Sequence, residues 1–178
     1  MNVSIIIVNY KSAELTVNCI TSIKKFTSEI TYEIIVVDNF SEDNSEQIIK
    51  NAHPDIVWVQ TGYNAGFSRG NNSGFNVAKG NCLLLLNADT LLFENTIALT
   101  FKRLQERKDI SVIAGQQLFP DMSQMPYFRN RNEFRKFLYV VPSRFNHYLD
   151  KIFPEPQFSD PNQAELPCGA FMRSEELV

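Results

Sequence analysis

The 178-residue chain is 44% hydrophobic, 12% aromatic and 21% charged, the profile of one folded globular domain and not of a disordered or fibrous polypeptide. Seventeen Lys and Arg against twenty Asp and Glu leave a net charge of −3, which excludes a global positive field of the kind that gathers nucleic acid. The strongly apolar runs Ile5–Val8 and Leu83–Leu86 fall far short of the ~18 residues of a membrane helix, and Met1–Val8 lacks an export signature, so the chain reads as cytoplasmic.

Short β-branched runs alternate with helical patterns through the first half, which predicts an α/β domain with parallel strands. Val3–Val8 is the first strand. Ser12 then reads as a helix cap, with Glu14 in the first turn and Leu15, Cys19, Ile20 and Ile23 forming an apolar face through Lys25. Tyr32–Asp38 is a second strand, Ser41–Ser45 starts a short helix carrying Ile48 and Ile49, and Ile56–Gln60 is a third strand. A Gly-rich loop leads into a helix over Ser68–Ala78. Cys82–Leu86 is a fully apolar strand expected in mid-sheet, Asn95–Arg107 a helix, and Ile110–Ala114 another buried strand. From Asp121 to Gln163 aromatic, Pro and basic residues replace clean periodicity, as in an irregular, substrate-facing elaboration. Glu165–Arg173 has strand character. Ser174-Glu175-Glu176 then resembles a helix start with no body to follow, so the chain reads as part of a longer domain.

Ligands of parallel α/β sheets bind beyond the carboxyl ends of the strands, which directs attention to Asn9-Tyr10-Lys11, Asp38-Asn39 and Asn87-Ala88-Asp89-Thr90. Asp89 leaves a dry strand where a hard divalent cation could use its carboxylate, and it reads equally as a cap of the following turn. Asp38 is placed to accept from a ribose hydroxyl or a base N–H, or to form a turn with Asn39 and Ser41. Gly62, Gly66, Gly70 and Gly74 permit close backbone approach to a ligand, and their spacing of four also suits a helix packed tightly on a sheet. They match neither a dinucleotide fingerprint nor a P-loop.

Cys19, Cys82 and Cys168 are read as buried, reduced thiols, and with only His53 and His147 they make no zinc-type spacing. No nucleophile-and-base pattern is visible. His53 reads as a helix-end residue and His147 as packing or surface. Arg129, Arg131, Arg135, Lys136 and Arg144, interleaved with Tyr127, Phe128, Phe134, Phe137 and Tyr139, read as a docked helix or as a cover for a phosphorylated or lipid-linked acceptor.

Taken in series, Ser4-Ile5-Ile6-Ile7-Val8-Asn9-Tyr10, Val36-Val37-Asp38-Asn39 with Ser41, Asn64-Ala65-Gly66-Phe67 with Gly70-Asn71-Asn72, Leu84-Leu85-Leu86-Asn87-Ala88-Asp89 and Gly169-Ala170-Phe171-Met172-Arg173 resemble the family 2 glycosyltransferases of the GT-A fold, in particular the rhamnosyltransferase-like branch. The resemblance runs from the first strand to the last residues. It implies a Rossmann-like, mostly parallel sheet flanked by helices and incomplete at the C-terminal end. Residues 1–115 would form the nucleotide-sugar-binding half of a single domain, and 116–178 the start of an acceptor half.

The activity implied is inverting transfer of a sugar from a UDP- or dTDP-sugar to an acceptor hydroxyl, in bacterial cell-surface polysaccharide synthesis. The acceptor would be a saccharide or lipid-linked saccharide. That admits peripheral association with the inner face of the membrane. By position, Val8, Asn9 and Tyr10 would line the nucleobase pocket, Asp38 would contact the base or ribose, and Asn64, Gly66, Gly70 and Asn71 would lie beside the nucleotide. Gly169 and Ala170 would shape the floor near the donor sugar and acceptor. Asn87-Ala88-Asp89 stands where the family has Asp-x-Asp, with Asp89 as ligand to Mg²⁺ or Mn²⁺ and Asn87 as a neutral, weaker substitute that lies beside the donor. The family's base usually follows the Gly-Ala segment at a distance, and Glu175 and Glu176 come too early, so no catalytic residue is assigned and donor binding with little turnover is expected. A non-catalytic nucleotide-sugar-binding module is the competing reading.

Overall fold

The computed structural model describes residues 1–119 and 121–123 and the backbone of 171–173. The chain divides into two compact units, Met1–Gly115 with Gly169–Val178, and Gln116–Cys168; the elements below belong to the first. They run β1 (Val3–Asn9), α1 (Ala13–Phe26), β2 (Tyr32–Asp38), α2 (Ser45–Ala52), β3 (Val57–Gln60), α3 (Gly66–Phe75), β4 (Cys82–Asn87), α4 (Thr96–Glu106), β5 (Val112–Ile113) and β6 (Phe171–Arg173).

The sheet has the order β3-β2-β1-β4-β6-β5. Its first four strands are parallel, and β6 runs antiparallel to both β4 and β5. This is the mostly parallel, helix-flanked α/β sheet anticipated above. Both faces are covered along β1 and most of β2, which is why those strands read as continuous apolar runs; β3 and the carboxyl half of β4 are only partly buried. Alternation along β1 sends Val3, Ile5 and Ile7 to one face, where they pack with Cys19, Ile20 and Ile23 of α1, Ile49 of α2, and Ile97 and Leu104 of α4. Ile6, Ile35 and Val37 point to the other face and meet Phe75 at the end of α3.

That face accounts for Gly70 and Gly74, whereas Gly62 and Gly66 have open space around them and take left-handed φ of +73° and +75°. A β-carbon on Gly74 would stand 2.6 Å from Ile6 Cγ2 and 3.2 Å from Val37 Cγ2, and one on Gly70 3.2 Å from Val8 Cγ1. At Gly74 only glycine lets α3 lie this close to β1 and β2, whereas at Gly70 a shift of a few tenths of an ångström by Val8 would make room. Alanine gains up to about 1 kcal/mol of helix propensity over glycine, whereas overpacking a core costs about 1–3 kcal/mol. Gly70→Ala is therefore expected to be near neutral and Gly74→Ala to be destabilising by about 1–2 kcal/mol, as read from urea midpoints. Equal midpoints for the two variants would contradict this packing account.

Three expectations need correction. The buried strand anticipated at Ile110–Ala114 is only two residues long, with Val112 40% exposed, because β5 lies at the sheet margin and pairs with β6 alone. Ser12 occupies the N-cap position of α1 but makes no side-chain cap; its hydroxyl donates to Asn9 Oδ1 at 3.1 Å instead. The glycine helix begins at Gly66 and ends at Phe75, two to three residues ahead of the reading. Cys19 and Cys82 are buried free thiols, and His53 closes α2 in a buried position. Of Glu165–Arg173, Phe171–Arg173 is strand; Cys168, His147, the aromatic-basic stretch and Ser174-Glu175-Glu176 lie outside the described residues. No helix among the described residues is long and apolar enough to cross a membrane.

Candidate functional site

Register brings the polar strand ends together. Asn9 is opposite Asp38, Asp38 opposite Gln60, and Val8 opposite Asn87, so four parallel strands present polar groups along one edge. Asp38 is the hub. Its Oδ1 accepts from Asn9 Nδ2 at 2.7 Å and Ser41 Oγ at 2.5 Å, and its Oδ2 from Ser41 N and Gln60 Nε2, both at 2.9 Å. Both oxygens are thus filled in a side chain only 3% exposed. Burial pushes the Asp38 pKa upward, but the hydrogen bonds from Ser41, Gln60 and Asn9 together outweigh it and hold the carboxyl below its ordinary value.

Asn9 is equally committed. Its Nδ2 donates to Asp38 and, at 3.2 Å, to Ser41 Oγ, while its Oδ1 accepts from Ser12 Oγ and Thr16 Oγ1. With no exposed surface, its side chain ties β1, β2 and α1 together beneath the edge.

Asn39 organises the glycine loop: its Nδ2 donates to Asn64 Oδ1 at 2.9 Å and its Oδ1 accepts from Ala65 N at 2.8 Å. Asn64 Oδ1 also accepts from Gly66 N, and Gly66 takes φ +75°, a left-handed conformation natural to glycine, as the chain turns into α3. Ala65 supplies no side-chain cap, and Asn64 Oδ1 reaches only the N–H of Gly66, so the following N–H groups of the first turn of α3, those of Phe67 and Ser68, are given no side-chain acceptor among the described residues. Gly70 and Asn71 are buried within this unit; Asn71 Nδ2 donates to Phe67 O in its own helix. Val8 is half-buried, whereas Tyr10, Tyr63 and Phe67 are about half exposed on the residues that flank the strand ends.

At the end of β4, Asn87-Ala88-Asp89-Thr90 forms a turn closed by Thr90 N donating to Asn87 O at 3.1 Å. From beneath, the Cys19 thiol lies 3.7 Å from the same carbonyl. Burial pushes that thiol up to about 12, and the negative charge of Asp89 adds to the effect. Asn87 and Asp89 are exposed, and no hydrogen bond or ion pair from the described residues reaches the Asp89 carboxylate. Among the described residues no three His, Cys, Asp or Glu side chains converge as a metal cage. A lone unpartnered carboxylate fits Mg²⁺ or Mn²⁺ only as an ion shared with phosphate oxygens, the usual habit of Mg²⁺. Gly169 and Ala170 lie outside the described residues.

Sequence reasoning overlooked Gln60 and Thr16. Gln60 ends β3 at the same edge as Asn9, Asp38 and Asn87, so the strand-end rule that singled those out would have found it.

Comparison with known proteins decides the family, because the model for "Glycosyl transferase family 2" matches residues 4–171. The chain belongs to this family. Glycosyltransferase GlyG of Streptococcus pneumoniae serotype 4 is 30% identical over 131 residues, 71% of this chain and 42% of its own length. The low-salt glycan biosynthesis hexosyltransferase Agl10 of Haloferax volcanii is 38% identical over 94 residues, 49% of this chain and 28% of its own. The chain thus spans less than half the length of these curated relatives. Among solved structures, S. aureus TarS with UDP-GlcNAc superposes at TM-score 0.61 and 20% identity, over 73% of this chain and 39% of that one. The mannosyltransferase PcManGT of Pyrobaculum calidifontis, in complex with GDP-Man and Mn²⁺, gives 0.60 and 22%, over 67% and 36%. At these identities the likeness is one of fold, and the fold is GT-A.

Proposed function

We propose that this family 2 chain binds the nucleotide diphosphosugar donor of an inverting glycosyltransferase that elongates a cell-surface saccharide on the cytoplasmic side of the membrane. The observation that carries the reading is the unpartnered Asp89 carboxylate at the same carboxyl edge as the Asn9–Asp38–Ser41 network and the loop that opens α3. Exposed Tyr10 offers a face on which a nucleobase can stack, and the N–H groups of Phe67 and Ser68, beyond the Asn64–Gly66 contact in the first turn of α3, suit phosphate. Asn64 is held by Asn39 at the mouth of that loop. The solved neighbours that hold UDP-GlcNAc and GDP-Man with Mn²⁺ support a nucleotide-sugar donor and a divalent ion. Asp89 is the ligand assigned to that ion, with the neutral Asn87 beside it; when bound, the ion would offset charge developing on the leaving diphosphate. UDP and dTDP are the proposed nucleotides and rhamnose the proposed sugar. The acceptor is a saccharide, free or lipid-linked.

Calorimetric titration of UDP, dTDP and GDP with Mn²⁺, Mg²⁺ or EDTA tests the reading. Binding that requires the ion and weakens about tenfold or more in Asp89→Asn is expected, the scale of one lost charge-assisted contact. Absence of nucleotide binding by the folded chain, or binding indifferent to EDTA and to Asp89→Asn, would overturn it.

A further inference from the structure

The buried Asp38 carboxylate has no lone pair left for a ligand: each oxygen already accepts two hydrogen bonds. A nucleobase arriving at this edge meets the outermost of those donors, Gln60, which is exposed at the end of β3. Gln60 Nε2 donates to Asp38 Oδ2 at 2.9 Å and leans on Asp38 O at 3.5 Å. Those two acceptors define the amide's orientation, because a flipped amide would set its oxygen against a carboxylate and a carbonyl. Thr61 reinforces the arrangement, since its N–H and hydroxyl both donate to Asp38 O at 3.1 Å. Gln60 Oε1 is consequently turned from the carboxylate, exposed, and without a partner among the described residues.

We propose that Gln60 Oε1 is the acceptor that reads the nucleobase, selecting bases with a ring N–H at the pairing edge. Uracil and thymine present N3–H and guanine presents N1–H, whereas cytosine and adenine present a bare ring nitrogen that would repel the amide oxygen. Asp38 acts one step back: its charge holds the Gln60 amide in the reading orientation. This rests on the nucleotide-binding function proposed above and deepens it.

The test is calorimetric binding of UDP and GDP, each against its ring-methylated counterpart, N3-methyl-UDP or N1-methyl-GDP, and against CDP and ADP, with Mn²⁺ present. For whichever of UDP or GDP binds tighter, the unmethylated nucleotide is expected to exceed its methylated form and CDP or ADP by about tenfold or more, the loss typical of one unmade hydrogen bond. In Gln60→Leu the unmethylated nucleotide should fall to the level of its methylated form, whose own affinity should change less than about twofold. Equal binding of methylated and unmethylated nucleotide by the unaltered chain would overturn the inference, with no variant needed. So would full discrimination in Gln60→Leu, because Asp38, released from Gln60, would then be the reader. Binding of no nucleotide at all would instead remove the donor-binding reading on which the inference stands.

Discussion

Gly80→Ala is expected to be the most damaging small substitution in the described part of the chain, at about 3 kcal/mol or more. A β-carbon at that position would stand 2.4 Å from Ser4 N and 2.6 Å from Val3 C, which are backbone atoms of the central strand and have no rotamer into which to retreat. The turn at 79–81 lies across the start of β1, with Gly80 N and Lys79 N donating to Ser4 Oγ at 2.8 and 3.1 Å and Lys79 N also to Glu33 Oε1. Relief therefore requires β4 to lift from β1. Helix propensity supplies no compensation, since Gly80 lies outside any helix. Folded domains hold a margin of about 5–15 kcal/mol, so this loss should show as a large drop in urea midpoint and soluble yield. A midpoint within experimental error of the unaltered chain would refute the contact.

Asp38→Asn should cost about 3 kcal/mol even though it preserves shape. Whichever way the amide is placed, its NH₂ faces a donor. On one side it meets Asn9 Nδ2, which cannot invert because Asn9 Oδ1 already serves Ser12 and Thr16; on the other it meets the backbone N–H of Ser41. The melting temperature should fall by roughly 10 °C. The pH dependence has a definite sign. The folded pKa of Asp38 lies below the unfolded value of about 3.9, so its stabilisation is fully present above that value and is lost as pH falls through the folded pKa. The gap in stability between the unaltered chain and Asp38→Asn should accordingly be widest near neutrality and close below about pH 4. Other carboxylates titrate alike in both proteins, so the difference isolates this one. A gap that stays constant down to about pH 2 would show that the hydrogen bonds do not depend on the charge.

The parallel half of the sheet was legible in the sequence because burial on both faces leaves a signal that depends on local composition alone. Tyr32–Asp38 was read to the residue, and β1 and β4 differ from their readings by one residue at their carboxyl ends, where Asn9 and Asn87 stay in the ladder after the apolar run stops. The margin was not legible. Val112 and Ile113 resemble a buried strand, but their position depends on pairing with Phe171–Arg173, a long-range fact without local periodicity. In the site, residue type marked the edge but not the division of labour along it. Asn9, Asp38 and Asn71 look alike in sequence as polar groups near a ligand, yet all three are buried, and their side-chain partners decide what each can do. Gln60 closes the third strand in the sequence reading as it does in the fold, so its place at the edge was legible; its role was not, because that depends on the long-range pairing that sets it against Asp38.

The seat of β6 between β4 and β5 has a consequence during synthesis. Cys82–Leu84 forms its antiparallel ladder with residues made roughly ninety positions later, while its other edge can join β1 at once. At a translation rate of about 5–20 residues per second, the apolar flank of β4 therefore waits on the order of ten seconds beside the ribosome with its amides and carbonyls unsealed. A strand of Cys-Leu-Leu-Leu-Leu left open for that long can pair with any extended segment nearby, including the same strand of a neighbouring nascent chain.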